Sequence, residues 1–329
     1  MGAGQGPHVP IRANIPDVRS FGPQSTTDEV LEGIDLTGKR MLVTGASAGL
    51  GVETTRALAA HGASVTIAVR DLTKGAAAMD DVMAQVPHAD LDLRRVDLAD
   101  LASIRTFAHG FVEDHPTLDV LIGNAGIMAC PQGTTADGFE LQFGTNHLGH
   151  FLLVRLLTPS LVAAGSARVV LLTSAGHRFS DVDLDDPGFE RQEYDPWIAY
   201  GRAKTANVLC AVGLDARLHD QGVRAFAVHP GTIPTELGRH LTDETLQALA
   251  ERRSRTPGTV EWKTVPQGAA TTVYAATAPE LDDEGGRYLE DCGLAEVTED
   301  PDASTGVRAY ALDPARADAL WELSERLVE

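Results

Sequence analysis

Residues 40–62 read RMLVTGASAGLGVETTRALAAHG. A short run of strand character passes directly into Gly45, Gly49 and Gly51, spaced G-x-x-x-G-x-G, and an alanine-rich helical stretch follows. Glycine permits a tight turn and close approach to the backbone, while the first turn of a helix offers unpaired N–H groups and the positive end of its dipole to a phosphate. The spacing differs from the commoner G-x-G-x-x-G fingerprint, but the mechanics are related. The stretch predicts the first βα unit of a dinucleotide-binding fold, with Gly45, Ser47, Ala48, Gly49, Leu50 and Gly51 around the pyrophosphate.

Outward from this unit, short apolar or β-branched runs alternate with longer helical stretches: SVTIAV (64–69), LDLRRV (91–96), LDVLIG (118–123), ARVVLLTS (167–174) and VRAFAVH (223–229). Such alternation predicts an α/β fold, a doubly wound Rossmann-type parallel sheet with helices on both faces. The domain is expected over 38–329, preceded by an N-terminal arm at 1–37 that is rich in Gly, Pro and polar residues. Two insertions, 175–199 and 234–265, each follow a strand. They belong at the carboxyl edge of the sheet, where open α/β proteins bind ligands, and are read as substrate-enclosing segments.

Composition narrows the partners. The chain has 329 residues and a formal charge of −20, which disfavours nucleic acid and anionic membrane surfaces. Cys130, Cys210 and Cys292 show no paired spacing, so reduced thiols in the cytoplasm are expected. No run of about 18 apolar residues is present, and a soluble protein without a membrane partner is expected.

Two further features bear on chemistry. The second strand ends at Val69, followed by Arg70 and Asp71. A valine cannot accept hydrogen bonds from a ribose 2′-hydroxyl, whereas an arginine suits a 2′-phosphate, so NADP(H) is expected in preference to NAD(H). The alternative leaves Arg70 as an exposed cation and assigns the ribose to Asp71. Residues 193–207, EYDPWIAYGRAKTAN, place Lys204 one helical turn after Tyr200, while Tyr194 has no lysine at that distance. Alone, such a pair is common on amphipathic helices.

TGASAGLG, GNAG (123–126), NHLGHF (146–151), LLTSAGH (171–177), YGRAK (200–204) and HPGTIPT (229–235) occur together in this order. On these motifs the chain resembles the short-chain dehydrogenase/reductase family over about residues 38–295, and within it the retinol dehydrogenase and WW-domain oxidoreductase-like branch. The resemblance implies a catalytic tetrad of Asn146, Ser174, Tyr200 and Lys204. It also implies cofactor contacts from Asp97 and Leu98 near the adenine, from Asn124, Ala125 and Gly126, and from Pro230, Gly231, Ile233 and Thr235 beside the nicotinamide. Gly123, Thr173 and Ala203 stand where Asn, Ser and Ser are common, and none removes a catalytic group. The resemblance also implies pairing through the helices over 135–163 and 200–219. Phe151, Leu152, Leu156, Val208 and Leu209 give those helices more apolar surface than one sheet contact needs, so a homodimer or homotetramer is expected.

The chemistry follows from the residue types. Hydride transfer to a carbonyl leaves an oxygen that must gain a proton, and a phenol supplies one when a nearby cation stabilises the phenolate. Tyr200 is the acid or base, Lys204 the cation and ribose holder, and Ser174 the hydrogen-bond donor to the carbonyl. Asn146 is assigned a water that connects Lys204 to solvent. The reading is an NADP-dependent oxidoreductase acting on a secondary alcohol, ketone or aldehyde of a fairly apolar small molecule. The alternatives are C=C reduction or epimerisation on the same fold, or nucleotide sensing without turnover. His147, His150, His177 and His229 lack partners at ligand spacing, so no metal is expected and they receive no role.

Overall fold

The computed structural model describes residues 21–253 and 261–329, and over these the predicted alternation forms one eight-stranded sheet. Its strands are β1 (Arg40–Thr44), β2 (Ser64–Val69), β3 (Asp90–Arg95), β4 (Val120–Gly123), β5 (Ala167–Leu172), β6 (Val223–His229), β7 (Arg287–Glu290) and β8 (Gly293–Leu294). They lie in the order β3-β2-β1-β4-β5-β6-β7-β8, parallel through β7 and antiparallel only at β8. The chain runs outward in one direction from β1 and in the other from β4. The crevice between these two strands is therefore the topological switch point, where such sheets bind ligands. The run predicted at 91–96 is a strand one residue earlier at each end, and the run predicted at 118–123 is a strand that begins two residues later and ends where expected.

The helices are α1 (Thr27–Leu31), α2 (Gly49–Ala60), α3 (Leu72–Gln85), α4 (Leu101–Asp114), α5 (Leu141–Phe143), α6 (Gly149–Ala163), α7 (Pro196–Leu218), α8 (Asp243–Arg253), α9 (Val265–Thr277) and α10 (Pro314–Val328). A π-helical segment, Gly144–Leu148, joins α5 to α6 and widens the helix where Asn146 sits. The central sheet is buried on both faces, which is why β4 reads as an apolar run and β5 as one interrupted only by Arg168. One face packs against α1, α2 and α9 through residues such as Leu31, Leu58 and Val273. The other packs against α4, α6, α7 and α10 through Phe111, Leu153, Leu209 and Leu320.

Of the arm expected at 1–37, residues 1–20 lie outside the described residues, as do 254–260 of the second insertion. Residues 21–37 lie on the body. Thr26 and Glu29 form a capping box at α1, Val30, Leu31 and Leu36 are buried, and Phe21 meets Tyr274 edge-on at 5.9 Å. The first insertion is fastened to α7 by Arg202. Its guanidinium donates to the Asp186 carbonyl at 2.8 Å and to Gln192 Oε1 at 3.1 Å, and stacks on Phe189 at 4.1 Å.

The surplus apolar surface of α6 and α7 has an intrachain partner. α10 lies along both helices: Trp321 meets Phe151 edge-on at 4.8 Å and Ser324 bonds His147 at 2.8 Å. Arg217 pairs with Asp318, and Arg155 with Glu325. Phe151, Leu152, Val208 and Leu209 are all buried within the single chain. The surplus on which a homodimer or homotetramer was expected is thus covered within the chain by α10.

Candidate active site

The predicted site residues gather at the carboxyl ends of the parallel strands. At the end of β1, Gly45 adopts a left-handed φ of +67°, and a Cβ there would lie 2.7 Å from the Ala125 Cα. Only glycine lets the loop close against the next strand end at this point. Asn124 Nδ2 donates to the Thr44 carbonyl at 2.8 Å and the Ala125 N–H donates to Thr44 Oγ1 at 3.0 Å, so GNAG after β4 braces the glycine loop. Gly49 starts α2 under the side chain of Thr235, while Ser47, Ala48, Leu50 and Gly51 complete the turn.

The start of α2 differs from those of five other helices. α3, α4, α7, α9 and α10 begin beneath an Asp or Thr whose side chain accepts their first N–H groups. α2 has Ala48 in that position, no side-chain cap and no acidic residue in its first turn. Its N–H groups are thus left to an anion, and the cradle fits the pyrophosphate of a dinucleotide.

Asp97 follows β3 with one carboxylate oxygen accepting from the Ala99 N–H, and Leu98 is buried against Gly149. Pro230, Gly231 and Ile233 follow β6. Gly231 is backed by the stem of Lys263, a nearly buried residue paired with Asp291. Sequence reasoning passed over Lys263, because nothing in its local pattern ties it to a turn 32 residues earlier.

The residues expected as a tetrad come from the π-helical segment (Asn146), just past the end of β5 (Ser174) and α7 (Tyr200, Lys204). Tyr200 and Lys204 lie on α7, 3% and 4% exposed, with the ammonium 5.7 Å from the phenol ring centroid. Gly176 makes room for the ring: a Cβ there would lie 2.7 Å from the Tyr200 Cε1. Burial pushes the phenol up to about 12, while a hydrogen bond with Ser174 acts the other way. Burial brings the Lys204 ammonium down to about 8. Lys204 Nζ donates to the Leu172 carbonyl at 3.0 Å, and Thr173 Oγ1 donates to the Lys204 carbonyl at 2.8 Å, so the threonine at the family's serine position ties β5 to α7.

Asn146 is placed differently from its expected use. Its side chain is committed to Ile127, accepting from that N–H and donating to that carbonyl, both at 2.9 Å. Gly126 touches both groups: a Cβ there would lie 3.2 Å from Asn146 Oδ1 and 3.6 Å from Lys204 Nζ. The amide therefore shapes the strand end beside Lys204 and is not free to hold a water.

Around the phenol lies an apolar cluster of Ala129, Trp197 and Tyr200, with Met128, Phe179, Leu241 and Leu249 packed against it. Phe179 comes from the first insertion, and Leu241 and Leu249 from the second. Trp197 Nε1 donates to the Thr245 carbonyl at 2.9 Å and so holds α8 against α7. Trp197 was missed in the sequence, although its position one turn before Tyr200 puts both on one helix face. Tyr194 is a structural tie: its hydroxyl donates to the Cys130 carbonyl and accepts from Gln142 Nε2, each at 3.0 Å.

At the adenine end, Asp71 Oδ1 accepts from the Thr73 and Lys74 N–H groups at 2.9 and 3.1 Å and caps α3. Arg70 is exposed. His240 lies near enough to Arg239 and Arg70 that their charges, after burial, lower its pKa. Among the described residues no group of three or more His, Cys, Asp or Glu is placed to hold a metal ion, and no helix is long and apolar enough to cross a membrane.

Comparison with known proteins gives a consistent picture. The family model described as short chain dehydrogenase matches residues 39–246. A probable oxidoreductase of Streptomyces lividans is 45% identical over 88% of this chain and 97% of its own length. Retinol dehydrogenase 13 of Homo sapiens is 39% identical over 89% of this chain and 85% of its own length. A solved structure of an uncharacterized protein from Mycobacterium Paratuberculosis superposes with a TM-score of 0.67 at 36% identity, covering 89% of this chain and 94% of that one.

Proposed function

This chain belongs to the short-chain dehydrogenase/reductase family of nicotinamide-dependent oxidoreductases, and from that premise we propose that it interconverts a secondary alcohol or primary alcohol with the corresponding ketone or aldehyde, using NADP(H). The observation that carries the proposal is the buried Tyr200–Lys204 pair, with the ammonium 5.7 Å from the phenol ring and the phenol set in an apolar cluster.

When bound, the nicotinamide supplies or accepts a hydride at the carbinol carbon. Tyr200, held protonated at neutral pH by burial, donates its proton to the substrate oxygen in the reductive direction and takes it back in the oxidative one. Lys204 keeps its charge at neutral pH and stabilises the phenolate left behind. Ser174 Oγ accepts from the Gly176 N–H at 3.0 Å, and this bond orients its hydroxyl toward the oxygen on which charge develops. The cofactor-binding roles of Gly45 to Gly51, Asp97, Leu98, Asn124 to Gly126 and Pro230 to Thr235 are part of the same proposal.

An apolar substrate is supported by Met128, Phe179, Trp197, Leu241 and Leu249 around the phenol, and by a relative named for retinol, a largely hydrocarbon alcohol. Preference for the 2′-phosphate is supported by Val69, which ends β2 without an acceptor for a ribose hydroxyl, and by Asp71, whose carboxylate caps α3. Three buried, unpaired cysteines suit a reducing compartment, and we place the protein in the cytoplasm. The test is a panel of apolar aldehydes, ketones and alcohols, followed by cofactor absorbance with deuterium-labelled NADPH. Label on the carbinol carbon supports the proposal; label on a neighbouring carbon, or turnover without label transfer, overturns it.

A further inference from the structure

The histidines carry no role in the chemistry above, yet one of them joins the two halves of the crevice. His150, on the first turn of α6, is buried. Its Nδ1 lies 2.9 Å from the main-chain carbonyl of Asn146, and its Nε2 lies 2.9 Å from Thr44 Oγ1 at the base of the glycine loop. A carbonyl can only accept, so Nδ1 carries the hydrogen. In a neutral imidazole Nε2 is then the acceptor, and the Thr44 hydroxyl donates to it at 2.9 Å in preference to the Ile122 carbonyl at 3.4 Å. Thr44 Oγ1 in turn accepts the Ala125 N–H at 3.0 Å. Every donor points the same way: Ala125 N–H to Thr44, Thr44 O–H to His150, His150 N–H to Asn146.

Burial, with Lys204 as a nearby cation, holds the ring neutral, its pKa lowered to about 4, and so preserves this tautomer over the working pH range. The chain ends on the one group of Asn146 that Ile127 does not occupy, in the π-helical segment beside Gly126 and Lys204.

We infer that His150 is a positioning residue that locks the glycine-loop strand end to the Asn146 carbonyl, coupling the seat of the cofactor to the seat of Lys204. One arm, through Thr44, sets the glycine loop and Ala125. The other, through Asn146, sets the catalytic end of the helix. The kinetic half of this inference rests on the proposed roles of Asn146 and Lys204; the cofactor half rests on the loop geometry alone.

Shape separates the arms. His150→Asn puts an amide N–H near the Nδ1 position and omits Nε2; His150→Gln reaches the Nε2 position and omits Nδ1; His150→Phe keeps the bulk and loses both. One net hydrogen bond corresponds to roughly three- to tenfold in an equilibrium or rate. Measured by NADPH fluorescence titration and by kcat, His150→Phe should lose roughly tenfold in both. His150→Gln should recover the cofactor Kd and leave kcat low, and His150→Asn should do the reverse. If the Phe variant does not fold, the Asn and Gln pair still carries the test. Wild-type Kd in both Asn and Gln variants, with only a lower melting temperature, overturns the inference. That titration needs no turnover, so an inactive wild type would sink the catalytic reading while the Kd split still decides this one.

Discussion

Replacing Lys204 with Met should abolish turnover and make the protein more stable. The lysine has an ordinary pKa near 10.5 and is brought down to about 8 by burial. At about 1.4 kcal/mol per pH unit, that displacement means the folded state holds the ammonium at a cost of roughly 3 kcal/mol at pH 7. Methionine has a similar length and brings no charge. It forfeits the hydrogen bond from Nζ to the Leu172 carbonyl, about 1 kcal/mol, but that carbonyl keeps the Asn207 Nδ2 donor at 3.0 Å. The balance favours the variant by roughly 2 kcal/mol, which corresponds to about 3 °C in Tm for a chain of this size. The pH dependence has a definite sign. Below about 8 Lys204 is charged in both states; between about 8 and 10.5 the unfolded chain holds a proton that the folded one has released, so wild-type stability rises with pH and the variant's advantage shrinks. Calorimetric melts without cofactor, from pH 7 to pH 10, read this directly. A Lys204→Met protein that melts at or below wild type at pH 7 would refute the reasoning.

Tyr200→Phe should lose at least roughly 10²- to 10⁴-fold in kcat with NADPH affinity retained, because only the phenolic proton is removed; near-full turnover in a cofactor-consumption assay would end the acid/base assignment. Tyr194→Phe should keep kcat and cost about 1 to 2 kcal/mol in a denaturant titration, since Gln142 and the Cys130 carbonyl lose their shared partner. Arg70→Ala should weaken NADPH by roughly one to two decades and NADH much less, the worth of a charge-assisted bond to a 2′-phosphate; equal losses in paired titrations would show that Arg70 does not read the phosphate. Leu320→Asp should unseat α10, bare the apolar face of α6 and α7, and raise the mass read by light scattering at micromolar concentration above that of the wild type. A wild-type chain that already dimerises through α6 and α7 would contradict the cover seen here.

What the sequence disclosed is what local chemistry dictates. The glycine loop and the α2 start were legible because Gly45, Gly49 and Gly51 stand between a strand-like run and a helical one, and Gly45 must take a left-handed φ where the strand end meets Ala125. Strands buried on both faces announce themselves as unbroken apolar runs, so β1, β2 and β6 were bounded correctly. Tyr200 and Lys204 were legible as a pair one turn apart, but their protonation was not. Spacing alone suggested a lysine that lowers a phenol's pKa, whereas their common burial raises the phenol to about 12 and depresses the amine to about 8. Desolvation depends on everything packed around the pair, and no local pattern reports it.

The harder lesson concerns the apolar surplus on α6 and α7. Periodicity measures how much helix surface must be covered but does not say whether the cover comes from another copy or from the same chain, because burial is non-directional. The complement was present all along in residues 314–328, whose Ala317, Leu320, Ser324 and Val328 fall on one helical stripe and are the residues buried on α10. Its polar flank carries the matching charges, Asp318 for Arg217 and Glu325 for Arg155. An apolar stripe with no predicted place in the sheet, and a helix pair with more apolar surface than the sheet consumes, are each ambiguous alone. Taken together they select an intrachain cover, since a segment tethered to the same body meets that face without the translational entropy that a second copy must lose.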